Sequence, residues 1–170
     1  MTVSLLPRVI ADKITDLTAE RLHGMCVELL IMDFDNTIVP YTTDIPTDEV
    51  VAWLEEMKKS GIRLCVVSNS KRDRVKIFCK KYGLDCITHA RKPFSKGIRQ
   101  CLQQFRTDPN QAALVGDQIY TDTLGGNCAG VTSILVNAID NHTFWLKLRH
   151  VAEKPFIYAA RKRRLTYEEH

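Results

Sequence analysis

Cys26-Val27-Glu28-Leu29-Leu30-Ile31-Met32-Asp33-Phe34-Asp35-Asn36-Thr37 decides how the rest of the chain is read. The run is apolar apart from Glu28, and it stops at two carboxylates. A parallel strand covered on both faces is continuous in its hydrophobicity, whereas a half-exposed strand alternates. Open α/β sheets bind ligands beyond the carboxyl ends of their strands, so this strand is expected to present Asp33 and Asp35 at the mouth of a site. Two residues apart on extended chain, their side chains share one side and Phe34 faces the other. One carboxylate of such a pair can attack while the other handles the proton, and a divalent cation relieves their repulsion. The competing reading of these residues alone is an Asp-x-Asp in a polar turn.

Three further segments repeat the pattern of an apolar run ending in a polar group. Leu64-Cys65-Val66-Val67 runs into Ser68-Asn69. A weaker strand at Cys86-Ile87-Thr88 is followed by Ala90-Arg91-Lys92-Pro93. Ala112-Ala113-Leu114-Val115 runs into Gly116-Asp117, with Thr121-Asp122 just beyond. The order is Asp-x-Asp-x-Thr, a serine after a strand, a lysine, then Gly-Asp with a second aspartate five residues on.

This order resembles the haloacid dehalogenase superfamily of phosphotransferases in all four of its motifs. Asp33-Phe34-Asp35-Asn36-Thr37-Ile38-Val39, Val67-Ser68-Asn69-Ser70, Ala90-Arg91-Lys92-Pro93 and the stretch Gly116 to Asn127 are similar to the YqeG family, which is related to fungal mitochondrial phosphatidylglycerophosphatase. The resemblance spans roughly Leu5 to Leu148. It departs at Pro40-Tyr41, where relatives often carry a tryptophan nearby. It implies an α/β fold of Rossmann-like type: a doubly wound parallel sheet in three layers, α/β/α. It also implies a Mg²⁺-dependent phosphomonoester hydrolase, acting on phosphatidylglycerophosphate at a membrane surface to give phosphatidylglycerol. A soluble phosphatase for a small metabolite, nucleotide or phosphoprotein is the second expectation. A non-catalytic binding module of the same fold is the third.

The roles follow from the same match. Asp33 is the expected nucleophile, forming an aspartyl-phosphate. Asp35 is the expected acid for the leaving alkoxide and base for the hydrolytic water. Ser68 and Lys92 are expected on the phosphoryl oxygens and their charge, and Asn36, Thr37 and Asn69 around the phosphate. Mg²⁺ takes hard oxygen ligands, here Asp33, the Asp35 main-chain carbonyl and Asp117, with Asp122 at the edge of the set, orienting Lys92 or steadying a water. Ser68 has a second reading as a helix N-cap, and so has Asp122. Three acids at one sheet edge have no comfortable structural role without a cation.

Length and composition set the outer bounds. A chain of 170 residues with 45% hydrophobic and 26% charged residues fits a single soluble globular domain. No apolar run reaches the ~18 residues of a membrane span, and Pro7, Arg8, Asp12 and Lys13 break up any signal-peptide core. Six cysteines without paired spacing read as free thiols in a reduced, cytoplasmic protein. The net charge of +4 is carried by residues 145–170, where seven basic residues face three acidic ones.

Domain organisation follows as one phosphatase domain over 1–170. Within it, 1–24 is expected as an N-terminal amphipathic helix, 25–140 as the catalytic core and 141–170 as a basic amphipathic C-terminal segment. Leu6, Ile10, Ile14 and Leu17 fall at helical spacing in the first. Phe144, Trp145, Leu148, Phe156 and Tyr158 interleave with basic residues in the last, which suits an anionic membrane surface and a peripheral association. Packing of both on the sheet is the alternative. No nucleic-acid partner is expected, since no recognition motif accompanies the basic tail. Only nine residues separate Thr37 from Thr47, and the stretch between Ser68 and Lys92 holds one helix and one strand. Neither gap accommodates a cap domain, so the site is expected to be open.

Overall fold

A computed structural model describes residues 4–70 and 73–140, together with Pro155, Tyr158 and Ala159. The basic segment expected over 141–170 lies outside these residues apart from the last three. Six strands, β1 (Val9–Ile10), β2 (Leu29–Met32), β3 (Arg63–Val67), β4 (Asp85–Ile87), β5 (Ala112–Gly116) and β6 (Thr132–Leu135), form one sheet. They alternate with helices α1 (Ala19–Gly24), α2 (Asp48–Lys59), α3 (Arg74–Tyr82), α4 (Lys96–Phe105) and α5 (Leu124–Ala129). The sheet order is β1-β6-β5-β2-β3-β4, with every pairing parallel.

The apolar run of β2 is buried on both faces because the sheet separates two cores. Leu30 and Met32 join Leu64, Val66, Ala113 and Val115 beneath Trp53, Leu54 and Met57 of α2 and Phe78 of α3. Leu29 and Ile31 join Cys65, Val67, Ala112 and Leu114 against Ile98 and Cys101 of α4 and Ala129 of α5. This is the expected three-layer α/β/α arrangement. Thr47 caps α2 by accepting the Val50 amide on its hydroxyl, with Asp48 and Glu49 at the positive end of the helix. Gly83 closes α3 in the left-handed conformation, φ 61°.

From β2 the chain winds outward to β3 and β4, then crosses back to β5 and β6. β2 and β5 are neighbours whose following connections depart to opposite sides of the sheet, so the crevice at their carboxyl ends is the topological switch point. Asp33 leaves β2 there and Asp117 leaves β5. In register Met32 pairs with Val115 and Val66, which brings Asp33, Gly116 and Val67 to one level. Among the described residues no cap domain is inserted into the connections following β2 and β3.

Three sequence-based boundaries are corrected. Residues 1–24 do not form one amphipathic helix. Their described part is β1, a 3₁₀ turn at Ile14–Asp16, and α1. The Arg8 and Ala11 amides donate to the Ser133 and Leu135 carbonyls at 3.0 Å each, and this edge pairing outweighs the helical spacing. Ile14 and Leu17 still reach the core, as turns of a chain that changes direction. Second, β2 starts at Leu29, because Cys26 is exposed and left-handed (φ 58°) in the turn after α1. Third, α3 starts at Arg74 after Asp73, so Ser68 is not its cap.

Leu17 is fully buried, and its carbonyl accepts the Trp53 indole N–H at 2.8 Å. Leu17→Ala is therefore expected to lower the unfolding free energy by about 2–5 kcal/mol in urea titration. A segment lying off the core would leave the transition unmoved.

Candidate active site

Asp33 and Asp35 project from one side of the chain into a small cavity of about 70 Å³, which Tyr41, Ser68, Asn69, Lys92, Gln118 and Thr121 also line. Phe34 between them turns the other way into the core, edge-on to Phe78 with ring centroids 5.1 Å apart. The chain then doubles back. The Asn36 amide donates to the Val39 carbonyl at 2.7 Å, and Asn36 takes φ 61° to allow it.

Lys92 lies at the centre of the charge arrangement. Its ammonium is 2.6 Å from Asp33 Oδ1 and 2.7 Å from Asp122 Oδ1, and its side chain is 2% exposed. Burial by itself lowers the pKa of this ammonium, but the Asp122 and Asp33 carboxylates outweigh it and hold Lys92 charged well above the ordinary lysine range. Burial pushes the Asp122 carboxyl up to about 6. Lys92 opposes that shift, and the negative Asp33 adds to it. Asp122 also accepts the Gln118 amide at 3.1 Å on its other oxygen, inside a π-helical turn over Ile119–Thr123. Its carboxylate is spent within that turn and on Lys92, so it does not cap α5.

Two glycines make this approach possible. A Cβ on Gly116 would lie 2.3 Å from Asp122 Cγ, so the glycine is the space that Asp122 fills. A Cβ on Gly97 of α4 would lie 2.7 Å from Ala90 Cβ, and the absence of one lets α4 press on the connection that carries Lys92. The same connection is braced from the other side. Asn69 Nδ2 donates to the Lys92 carbonyl at 2.9 Å, and the Lys92 amide donates to Asn69 Oδ1 at 2.7 Å.

A family model for haloacid dehalogenase-like hydrolases matches residues 15–130. The chain belongs to that family. Along 96% of both sequences it is 33% identical to the Probable phosphatase YqeG of Bacillus subtilis (strain 168). Among solved structures it resembles an uncharacterized protein from Listeria monocytogenes serotype 4b, with TM-score 0.55 and 20% identity over 69% of this chain and 85% of that one. It also resembles the cobalt-bound deoxy-D-mannose-octulosonate 8-phosphate phosphatase of Haemophilus influenzae, with TM-score 0.53 and 11% identity over 66% and 69% of the two chains. At these identities the two structures testify to the fold of the family.

Within this hydrolase fold, Asp33, Asp117 and Asp122 each place a carboxylate oxygen within 4.8 Å of the others, and all three are buried. Three carboxylates against the single ammonium of Lys92 leave an excess of negative charge in a low-dielectric crevice. The donors are all hard oxygens. The set fits a small divalent cation, which would neutralise that excess and, when bound, the charge on phosphoryl oxygens.

Of the other residues expected here, Ser68 is buried, accepts the Ser70 amide at 3.0 Å and lines the cavity. Asn69 lines it too, with its amide occupied in bracing Lys92. Asn36 and Thr37 are not brought to the cavity. Asn36 Nδ2 donates to the Asp140 carbonyl at 2.7 Å, and Thr37 borders a separate apolar groove. The Asn36 side chain instead anchors the turn after Asp35 to the chain leaving β6.

Sequence reasoning overlooked Arg74, which forms an ion pair with Asp35, Nη1 to Oδ1 3.1 Å. The signal was available: Arg74 precedes Phe78 by one helical turn and so lies on the face of α3 that packs inward.

Gly116→Ala is expected to displace Asp122, loosen Lys92 and weaken Mg²⁺ binding about tenfold or more by isothermal calorimetry, with the far-ultraviolet circular dichroism retained. The raised Asp122 carboxyl adds a pH dependence. Without cation the folded state holds this proton more tightly than the unfolded state, so its contribution to stability falls as pH rises from the ordinary carboxylate range towards about 6. Cation binding displaces the proton. Divalent-cation affinity, probed with Mg²⁺, should therefore drop below about pH 6, approaching roughly tenfold per pH unit, in titrations at pH 7, 6 and 5.

Proposed function

We propose that this chain is a Mg²⁺-dependent phosphomonoesterase working through an aspartyl-phosphate, with 25–140 as its catalytic core. The observation that carries the reading is Asp33 held against Lys92 at the switch point, beside Asp35 and Ser68 in one cavity. Asp33 attacks phosphorus, the P–O bond to the leaving group breaks, and Asp35 supplies the proton to the departing oxygen. Asp35 then takes a proton from the water that attacks the phosphorus of the acyl phosphate, which frees inorganic phosphate and regenerates Asp33. Lys92 balances the charge of the phosphoryl oxygens, and the Ser68 hydroxyl donates to one of them. Asp117 and Asp122 complete the seat of the cation, whose contribution is charge neutralisation.

For the substrate, the reading is phosphatidylglycerophosphate, approached at an anionic membrane surface. Four things support it. The similarity to the YqeG protein runs almost end to end. The cavity is small and, among the described residues, has no cap domain over it, so the body of the substrate stays outside it. An apolar groove of about 430 Å³, lined by Ile14, Ile38, Pro40, Ile45, Val50 and Ile139, shares the Thr37–Pro40 loop with the catalytic turn. The exposed Tyr41, Ile45, Phe94, Tyr120 and Ile139 all belong to connections leaving the carboxyl ends of the strands, an apolar rim on the catalytic edge. No helix among the described residues is long and apolar enough to cross a membrane, so the contact proposed is peripheral.

The test is phosphate release with Mg²⁺ from phosphatidylglycerophosphate in mixed micelles, beside glycerol phosphate and nucleoside monophosphates. Asp33→Asn should abolish turnover in every case. A preference for the lipid of about tenfold or more in kcat/KM upholds the membrane reading. Equal turnover of the soluble esters leaves the chemistry and removes the lipid.

A further inference from the structure

Arg74 opens α3, at the helix end where backbone dipoles disfavour a cation. Its side chain is nevertheless 11% exposed. Four contacts hold it there. Nη1 meets Asp35 Oδ1 at 3.1 Å, Nε meets Asp44 Oδ1 at 2.5 Å, and Nη2 donates to the Thr43 carbonyl at 3.1 Å. The guanidinium carbon stands 5.1 Å from the centroid of the Phe34 ring. The guanidinium thus touches the connection after β2 at both ends: Phe34-Asp35 where it leaves the strand, and Thr43-Asp44 beyond Tyr41, which lines the same cavity as Asp35.

The backbone at Asp35 is already set by its bridge to Val39. The bridge acts on the backbone, whereas Arg74 engages the carboxylate itself, Nη1 to Oδ1. We infer that Arg74 is a positioning residue for Asp35, orienting the carboxylate that hands its proton to the leaving oxygen and holding the cavity wall in register with it. The inference rests on the phosphatase reading above. Lysine would keep the charge but lose the fork, since one ammonium cannot face Asp35, Asp44 and the Thr43 carbonyl in one plane.

A residue that only staples the loop and one that orients the proton donor differ in their dependence on leaving group. When phosphoryl transfer to Asp33 breaks the P–O bond, the electron pair passes to the leaving oxygen. A nitrophenolate is stable with that pair, whereas an alkoxide needs the proton of Asp35. The experiment measures kcat/KM, which reports this first transfer, for p-nitrophenyl phosphate and for glycerol phosphate. It compares wild-type protein with Arg74→Gln, Arg74→Lys, Asp35→Asn and Asp33→Asn, each checked by thermal melting.

The expected result is that Arg74→Gln raises the ratio of nitrophenyl to alkyl turnover at least about tenfold, in the same sense as Asp35→Asn, with Arg74→Lys between wild type and Gln. An equal loss on both esters, or no loss on the alkyl ester, overturns the inference. Where Arg74→Gln melts too low to assay, the Lys variant decides on the same ratio. Absence of Asp33-dependent turnover of either ester by the wild-type protein would overturn the phosphatase reading itself, a result distinct from an unchanged ratio.

Discussion

The ion pairs of Lys92 with Asp33 and Asp122 are the constraint around which the catalytic edge is arranged. An ammonium taken out of water costs several kcal/mol unless oppositely charged partners surround it, and a carboxylate costs as much. Here one buried lysine serves two buried aspartates from different strand ends, with Asp117 close by. Much of the local packing keeps this cluster together. Gly116 lacks a side chain where Asp122 lies, Gly97 lets α4 reach the lysine connection, and Asn69 grips the Lys92 main chain from the end of β3. The two glycines contribute only space, and Asn69 both braces Lys92 and lines the cavity.

The excess of carboxylate over ammonium is the chemical meaning of the arrangement. A structural network would tend towards neutrality, because an unbalanced charge at a sheet edge is unfavourable. A site built for a cation and a phosphoryl group must instead be unbalanced before they arrive. Asp122 absorbs part of the imbalance by holding its proton up to about pH 6. A cation held by Asp122 would compete with that proton in the mildly acidic range.

A second layer of control lies in the connection after β2. It carries Asp33 and Asp35 at one end and opens α2 through Thr47 at the other. Between them it supplies Tyr41 to the catalytic cavity and Ile38, Pro40 and Ile45 to the apolar groove. With no cap domain among the described residues, this short connection shapes the cavity wall and, in the proposed reading, the surface that would meet the substrate. Two anchors restrain it, Arg74 from α3 and the bonding of Asn36 to the chain leaving β6, where the Ile139 amide donates to the Asn36 carbonyl at 3.0 Å and the Asp140 carbonyl accepts the Asn36 side chain.

The sequence alone determined the apolar strand that leads to Asp33 and the polar groups at the ends of the other strands, and the family resemblance added the three-layer fold and the roles of those groups. The first two are local and periodic properties: a doubly buried strand must be apolar throughout, and a strand end in such a sheet is where polar groups gather. Only the tertiary structure decided what each polar side chain faces. Asn36 was legible as a residue of the motif, but its turn to Asp140, more than a hundred positions away, was not. Arg74 was overlooked: its spacing from Phe78 put it on the inward face of α3, but only folding brought Asp35 and Asp44 beside it. The spacing of Ile10, Ile14 and Leu17 suggested a helix, and edge pairing with β6 overruled it, because backbone bonds to a distant strand leave no trace in local periodicity. Propensity and pattern are written along the chain, whereas ion pairs and sheet edges depend on which distant residues arrive beside one another.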